Sequence, residues 1–359
     1  MKLFQQLLVA PAALGLLSPL SVIASEVNLD AISKYSEDNL EIDGNLFKQN
    51  TSTNTLLSGG EGLVESEDVI GGFSETTTAS FGVDFLVGAE DGADSEATAF
   101  GYQMGIGLET SFTGEDALSA TIDIGDGSSG ALAFDDTTDA LTLDGLTYTF
   151  PVGGATVMVG DSTDISAVYT GACAYSSFTD YMGNCGTGST VGVGGNGVTA
   201  AMSYGFDSGF SLAGGVSSET DSILTEEGSD VFGIEAAYTA DSYGVSVAYS
   251  DSEGTTGWGI NGMYAFDFAT LSAGIESVDD GTTAEGFFVG LSFAEVGPGS
   301  LDIGMGTTGN FADGDTEYYT YEASYAYPIN DGVTITPGVY IVEGETDVTG
   351  VALKTSFSF

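Results

Sequence analysis

Histidine and arginine are both missing from this chain of 359 residues, and its only cations are Lys2, Lys34, Lys48 and Lys354. Without histidine there is no Ser-His-Asp or Cys-His catalytic arrangement and no histidine-based zinc or iron site. Without arginine there is no guanidinium clamp for anions. Four lysines cannot neutralise a phosphate backbone, so nucleic acid is excluded as a partner. Only 6 prolines are present, which excludes a proline-rich linker array. After residue 24 no apolar run approaches the length of a membrane-spanning helix.

What is present points elsewhere. The chain carries 53 acids and a net charge of −49, yet 42% of its residues are hydrophobic, with 21 Phe and 17 Tyr. That much apolar material argues against a disordered polyanion. The length suits two average domains or one large all-β unit.

The first residues have the form of a targeting segment. Lys2 precedes the apolar stretch LLVAPAALGLLSPLSVIA, which closes on Val22-Ile23-Ala24. A secretory signal peptide cleaved after Ala24 is expected, with a transmembrane anchor as the lesser alternative. Export places the chain's 2 cysteines, Cys173 and Cys185, in an oxidising compartment, where a local disulfide is expected. A loop that short would gain roughly 3 kcal/mol from the bond. Residues 25–76 form a separate N-terminal segment, periplasmic or plugging, with one short helix capped by Asn28 or Asp30 and carrying Leu29, Ile32 and Tyr35 on one face.

From about residue 77 helical periodicity disappears and period-two alternation runs to the end. Phe81, Val83, Phe85 and Val87 oppose Gly82 and Asp84. Phe100, Tyr102, Met104, Ile106 and Leu108 oppose Gln103, Gly105, Gly107 and Glu109. The same holds for Trp258, Ile260 and Tyr264 against Asn261, for Phe287, Val289, Leu291 and Phe293 against Gly290 and Ser292, and for Tyr319, Tyr321, Ala323, Tyr325 and Tyr327 against Thr320, Glu322 and Ser324. Such a face of Gly, Ser, Thr and charge suits a wall between oil and water better than the dry interior of a sandwich.

Connections alternate in length. Short turns fall near 113–116, 151–154, 207–209, 241–242, 267–268, 295–299 and 328–331. Between them lie acidic stretches at 89–96, 135–139, 162–196, 218–230, 251–256, 278–283, 308–317 and 343–347. About sixteen antiparallel strands, short turns at one rim and long loops at the other are the features of an all-β transmembrane barrel over 77–359. Only a closed barrel or a helix satisfies its backbone in lipid. The 35-residue stretch 162–196 is the longest loop, and it either folds inward to narrow the lumen or caps the barrel from outside.

The chemical motifs are weak. No stretch carries the ligand spacing of a calcium loop, GGNGVTAAM does not recur at a fixed period, and the glycine-rich runs lack the Lys of a phosphate loop. Nothing distinguishes any carboxylate pair as catalytic. No catalytic, cofactor-binding or metal-binding residue is therefore assigned, and no enzyme is expected. Alternation instead selects pore-lining candidates on the polar face: Asp84, Gln103, Glu109, Asp123, Glu235, Asn261, Glu276, Asp302, Glu322 and Lys354. Facing water, the acids would concentrate cations and retard anions. In the closing strand Val351, Leu353, Phe357 and Phe359 form the lipid-facing stripe, and Lys354 is the only cation on the strand walls.

The opening segment through Ser36, together with TYTFPVG, the cysteine loop, DSILTEEG, YGVSVAYS, EVGPGSL and the ending TGVALKTSFSF, resembles the outer-membrane porins of marine unicellular cyanobacteria, related to the carbohydrate-selective, OprB-like porins. The resemblance implies a diffusion channel in the outer membrane for small hydrophilic solutes, whether sugars or inorganic ions including iron. It also implies an aromatic ending handed to the barrel-insertion machinery, and allows a homotrimer. Larger members precede the barrel with an S-layer homology domain and a coiled coil; about fifty residues separate the expected cleavage site from the first strand here, too few for both. The rival from another class is a soluble or surface-layer acidic β protein that scaffolds or adheres, extractable without detergent.

Overall fold

A strand that separates two media must send alternate side chains to each, and a slip of one residue would exchange the faces. In the computed structural model, which describes residues 77–92, 98–126, 140–179, 197–218, 220, 222–225 and 229–359, that alternation becomes a closed wall. The expected signal segment, residues 25–76 with their expected helix, stretch 135–139 and Cys185 lie outside the described residues.

The strands are β1 (Thr77–Asp91), β2 (Thr98–Thr110), β3 (Ala117–Asp126), β4 (Thr142–Val152), β5 (Ala155–Thr163), β6 (Gly197–Gly205), β7 (Phe210–Ser218), β8 (Asp230–Thr239) and β9 (Tyr243–Ser252). They continue as β10 (Thr255–Ala265), β11 (Thr270–Asp279), β12 (Thr283–Val296), β13 (Gly299–Thr307), β14 (Phe311–Ala312), β15 (Tyr319–Asn330), β16 (Val333–Val342) and β17 (Val348–Ser358). Each pairs antiparallel with its neighbours in sequence, and β17 pairs with β1. The exception is β14, two residues that lean on the upper end of β12 while β13 pairs directly with β15. Sixteen strands thus close the ring and leave no edge to satisfy.

The β8–β9–β10 register shows the separation of faces. Val247 stands between Ala236 and Ile260 on the outside, and the adjacent Ser246 faces Asn261 on the inside, its hydroxyl donating to Asn261 Oδ1 at 2.8 Å. At the closing seam Leu86 pairs with Lys354 and Asp84 with Ser356. Phe81 and Phe359 exchange backbone hydrogen bonds of 3.0 and 3.1 Å and stack at 5.7 Å, and Phe357 meets Phe85 edge-on at 6.0 Å.

Near the short-turn rim the outer face carries clustered rings. Tyr148 stacks on Phe150 at 5.3 Å, Tyr204 meets Phe206 at 4.7 Å, Phe210 meets Tyr238 at 4.8 Å and Tyr264 meets Phe266 at 4.7 Å. An aromatic band at one rim is what a membrane–water interface selects.

Two connections read as acidic loops, 251–256 and 278–283, are instead tight turns. Glu253 and Gly254 alone join β9 to β10, with φ of 38° and 105°. That pair of positive values gives a hairpin turn matching strand twist, so the flanking acids and threonines remain in the ladder. The long/short alternation therefore fails in this part of the barrel, and the strand count does not depend on it.

The turn between β2 and β3 is held by one carboxylate. Asp116 Oδ1 accepts from the Ser111 hydroxyl, the Phe112 and Thr113 N–H groups and the Thr113 hydroxyl at 2.7–2.9 Å, and Oδ2 accepts from Tyr148 OH at 2.7 Å. Burial alone would raise its pKa, but the Thr113 backbone bond and the hydroxyls of Tyr148, Ser111 and Thr113 hold it well below the usual carboxylate range. Its stabilising contribution is complete above the ordinary carboxylate pKa and is lost as the pH falls through the depressed folded value. Asp116→Asn should make the Phe112 and Thr113 amides exchange with solvent at least about tenfold faster at neutral pH. Wild-type exchange in the variant would show that the carboxylate does not hold the turn.

Candidate functional site

The stretch after β5 lies inside the barrel. Asp164 caps a short 3-10 turn, Ile165–Val168, accepting from Ser166 N–H at 2.8 Å and from the Ser166 hydroxyl. Ile165 is fully buried among Met158, Ala201, Val231 and Ala248, which are inward residues of β5, β6, β8 and β9. From that anchor the backbone runs around the inner wall. The alternative of an external cap is thereby overturned for residues 164–179.

Irregular backbone inside a barrel exposes N–H groups that must find acceptors. With no guanidinium or imidazole to pair with, inward carboxylates and hydroxyls of the wall take that part. Glu235 accepts from Thr170 N–H at 2.7 Å and Gly171 N–H at 2.9 Å. Asn261 Oδ1 accepts from Ala172 N–H at 3.1 Å, and Ser272 Oγ from Ala174 N–H at 3.0 Å. Glu322 receives four bonds: Oε1 from Tyr175 OH at 2.8 Å and Phe178 N–H at 2.5 Å, Oε2 from Thr179 N–H at 2.8 Å and its hydroxyl at 2.7 Å.

Rings complete the attachment. Tyr175 packs on the fully buried Phe288 at 4.9 Å, with Cys173 beside them. Phe178 packs among Leu86, Tyr340, Val342 and Ala352 of β1, β16 and β17. Two inward glycines are seats for these rings. A Cβ on Gly290 would lie 2.3 Å from Tyr175 Cδ2, and one on Gly338 would lie 2.3 Å from Phe178 Cε1. Only a residue without a side chain lets the loop approach so closely. On the open side the loop presents Ala167, Thr170, Ala174 and Ser176, all small and uncharged.

The ten residues selected by alternation therefore divide. Glu235, Asn261 and Glu322 face inward but are covered by the loop and bonded to it rather than to open water. Gln103 and Asp123 face inward and are each only 1% exposed. Asp84, Glu109, Glu276, Asp302 and Lys354 stand half-buried on the inner side. Lys354 is flanked in register by Leu86 and Thr336, and Asp302 by Ser292 and Ser324. Val351, Leu353 and Phe359 are exposed on the outer side.

Alternation missed Phe288, Tyr340, Ser272 and the two glycine seats. A signal was present: the doublet Phe287-Phe288 puts one aromatic on the polar face, and Tyr175 and Phe178 stand three apart in the long loop. Among the described residues the arrangement is a lumen narrowed by an inward strap whose one acid is Asp164, with further acids at several heights of the wall and Lys354 beside them.

A family model described as Gram-negative porin matches residues 40–347. No curated protein sequence matches significantly. Among solved structures, OprB of Pseudomonas putida superposes with a TM-score of 0.65 at 12% identity, over 79% of this chain and 94% of that one. Two variants of the Rh. blastica porin superpose with a TM-score of 0.56 at 18% and 17% identity, over 79% of this chain and 100% of theirs. At such identities the likeness is one of fold.

Proposed function

The chain belongs to the Gram-negative porin family, outer-membrane channels for passive diffusion of solutes, and from that premise we propose that it conducts small hydrophilic solutes with a preference for cations. The observation that carries the proposal is the inner face: among the described residues Asp84, Glu109, Glu276 and Asp302 stand on it against Lys354, while the strap carries one acid, Asp164, and no cation. A low-dielectric wall focuses the field of such acids into the lumen, raising the local concentration of cations and lowering that of anions.

Export with cleavage after Ala24, a Cys173–Cys185 bond fixing the strap, and delivery to the insertion machinery through the aromatic closing strand belong to the same proposal. So does a homotrimer. Neutral sugars of suitable size would pass by the same route, their flux independent of ionic strength.

In a planar bilayer with a KCl gradient around 0.1 M, potassium should be favoured over chloride by roughly threefold, because the Debye length there, ~10 Å, is comparable to a pore radius. The preference should shrink near 1 M salt. A chloride preference at low salt would refute cation selectivity without touching the channel itself.

A further inference from the structure

Two kinds of inward carboxylate coexist in this lumen, and their surroundings set them different tasks. Asp84, Glu109 and Asp302 make no hydrogen bond to the strap among the described residues. Glu235 and Glu322, only 2% and 3% exposed, give their oxygens to strap donors. We propose that Glu235 and Glu322 are positioning residues that set the width of the constriction, while Asp84, Glu109 and Asp302 set its charge preference. This rests on the channel function proposed above.

The geometry separates the two tasks. The strap is tethered at its start by the buried Ile165, midway by Glu235, Asn261 and Ser272, and at the end of its described course by Glu322. Glu322 is the heaviest of these points, because it gathers two backbone amides, one tyrosine hydroxyl and one threonine hydroxyl onto two oxygens. A glutamine there keeps the volume but replaces one oxygen by an amide NH2. That NH2 group can only donate and would face donors, leaving buried N–H groups without an acceptor. The ring seats at Gly290 and Gly338 flank the same point, so loss of the carboxylate leaves only packing to hold Tyr175 and Phe178.

The test uses the full-length protein in liposomes and planar bilayers. Glu322→Gln should raise swelling rates by about twofold or more for neutral sugars near the wild-type exclusion limit, since a lumen widens when its strap is released. Glu109→Gln and Asp302→Asn should leave that limit unchanged and lower the potassium-over-chloride ratio. The proposal is overturned if Glu322→Gln keeps the wild-type exclusion limit, or if it lowers selectivity without changing the limit, as the Glu109 and Asp302 variants should.

Hydrogen exchange on the wild type gives a readout that needs no variant. The amides of Thr170, Gly171, Ala172, Phe178 and Thr179 should exchange far more slowly than those of exposed turns such as 253–254, and exchange at the same rate would overturn the latch even if Glu322→Gln failed to insert. Wild-type protein that formed no channel at all, yet protected these amides, would refute the channel function and leave the latch standing.

Discussion

Replacing Asp84, Glu109 and Asp302 together by lysine should reverse the sign of the zero-current potential in a KCl gradient, turning a cation-preferring channel into an anion-preferring one. These acids are half-buried on the inner face of β1, β2 and β13 and make no hydrogen bond to the strap among the described residues, so their replacement removes none of its hydrogen-bonded tethers. Each exchange changes the local charge by two units, and Lys354, two residues along β17 from Ser356, the partner of Asp84, adds to the new sign. Two unit charges 8 Å apart interact by about 2 kcal/mol at an effective dielectric of 20, so three reversals outweigh the thermal energy several-fold before screening. At about 1 M salt the Debye length falls to ~3 Å and the reversed preference should collapse. An unchanged sign at 0.1 M would mean that selectivity resides elsewhere, for instance in the external loops.

The wall was legible because its physics is local. A residue in an antiparallel strand between lipid and water is decided by its own parity, so Val247 outside and Ser246 inside follow from two adjacent letters. The ring closure was legible by elimination, since an edge in lipid is not tolerated. The tight turn at Glu253-Gly254 was misread because acids and threonines look like loop residues. What fixes that turn is a pair of positive φ angles, and Glu at the first of them gives little warning.

Inward folding of the long loop was one of two readings the sequence allowed, but how the strap is attached was not legible, for a different reason. Its attachment joins Thr170 to Glu235, Tyr175 to Glu322 and Phe178 to Tyr340, across 65 to 147 residues for the hydrogen bonds. Nothing in the local pattern distinguishes an acid that faces water from one that meets a backbone amide. In a chain with arginines those carboxylates would have charged competitors; here the absence of such partners leaves backbone N–H and hydroxyl donors, and the structure uses them. Inward glycine likewise has two meanings, an empty wall or a seat for a ring, and only the partner's position decides between them.

Outer-face substitutions test whether this wall meets lipid. Val247 sits midway along β9, is 47% exposed, and has Ala236 and Ile260 beside it in register. In a bilayer Val247→Arg should destabilise the folded barrel by ~2–4 kcal/mol, a loss of at least about thirtyfold in the folded-to-unfolded ratio. Tyr243→Arg, on the same face of β9 but at its short-turn end in the aromatic band, should cost only about 0–1 kcal/mol, because an arginine there reaches the interface. The measurement is urea unfolding in lipid vesicles, followed by heat-modifiable gel migration. A soluble or surface-layer β protein makes the opposite prediction: an exposed valine exchanged for arginine would change stability by no more than about 0.5 kcal/mol at either depth. A steep dependence on position along β9 is thus the signature of a hydrocarbon slab around the barrel, and equal, small effects at Val247 and Tyr243 would remove the lipid from the argument.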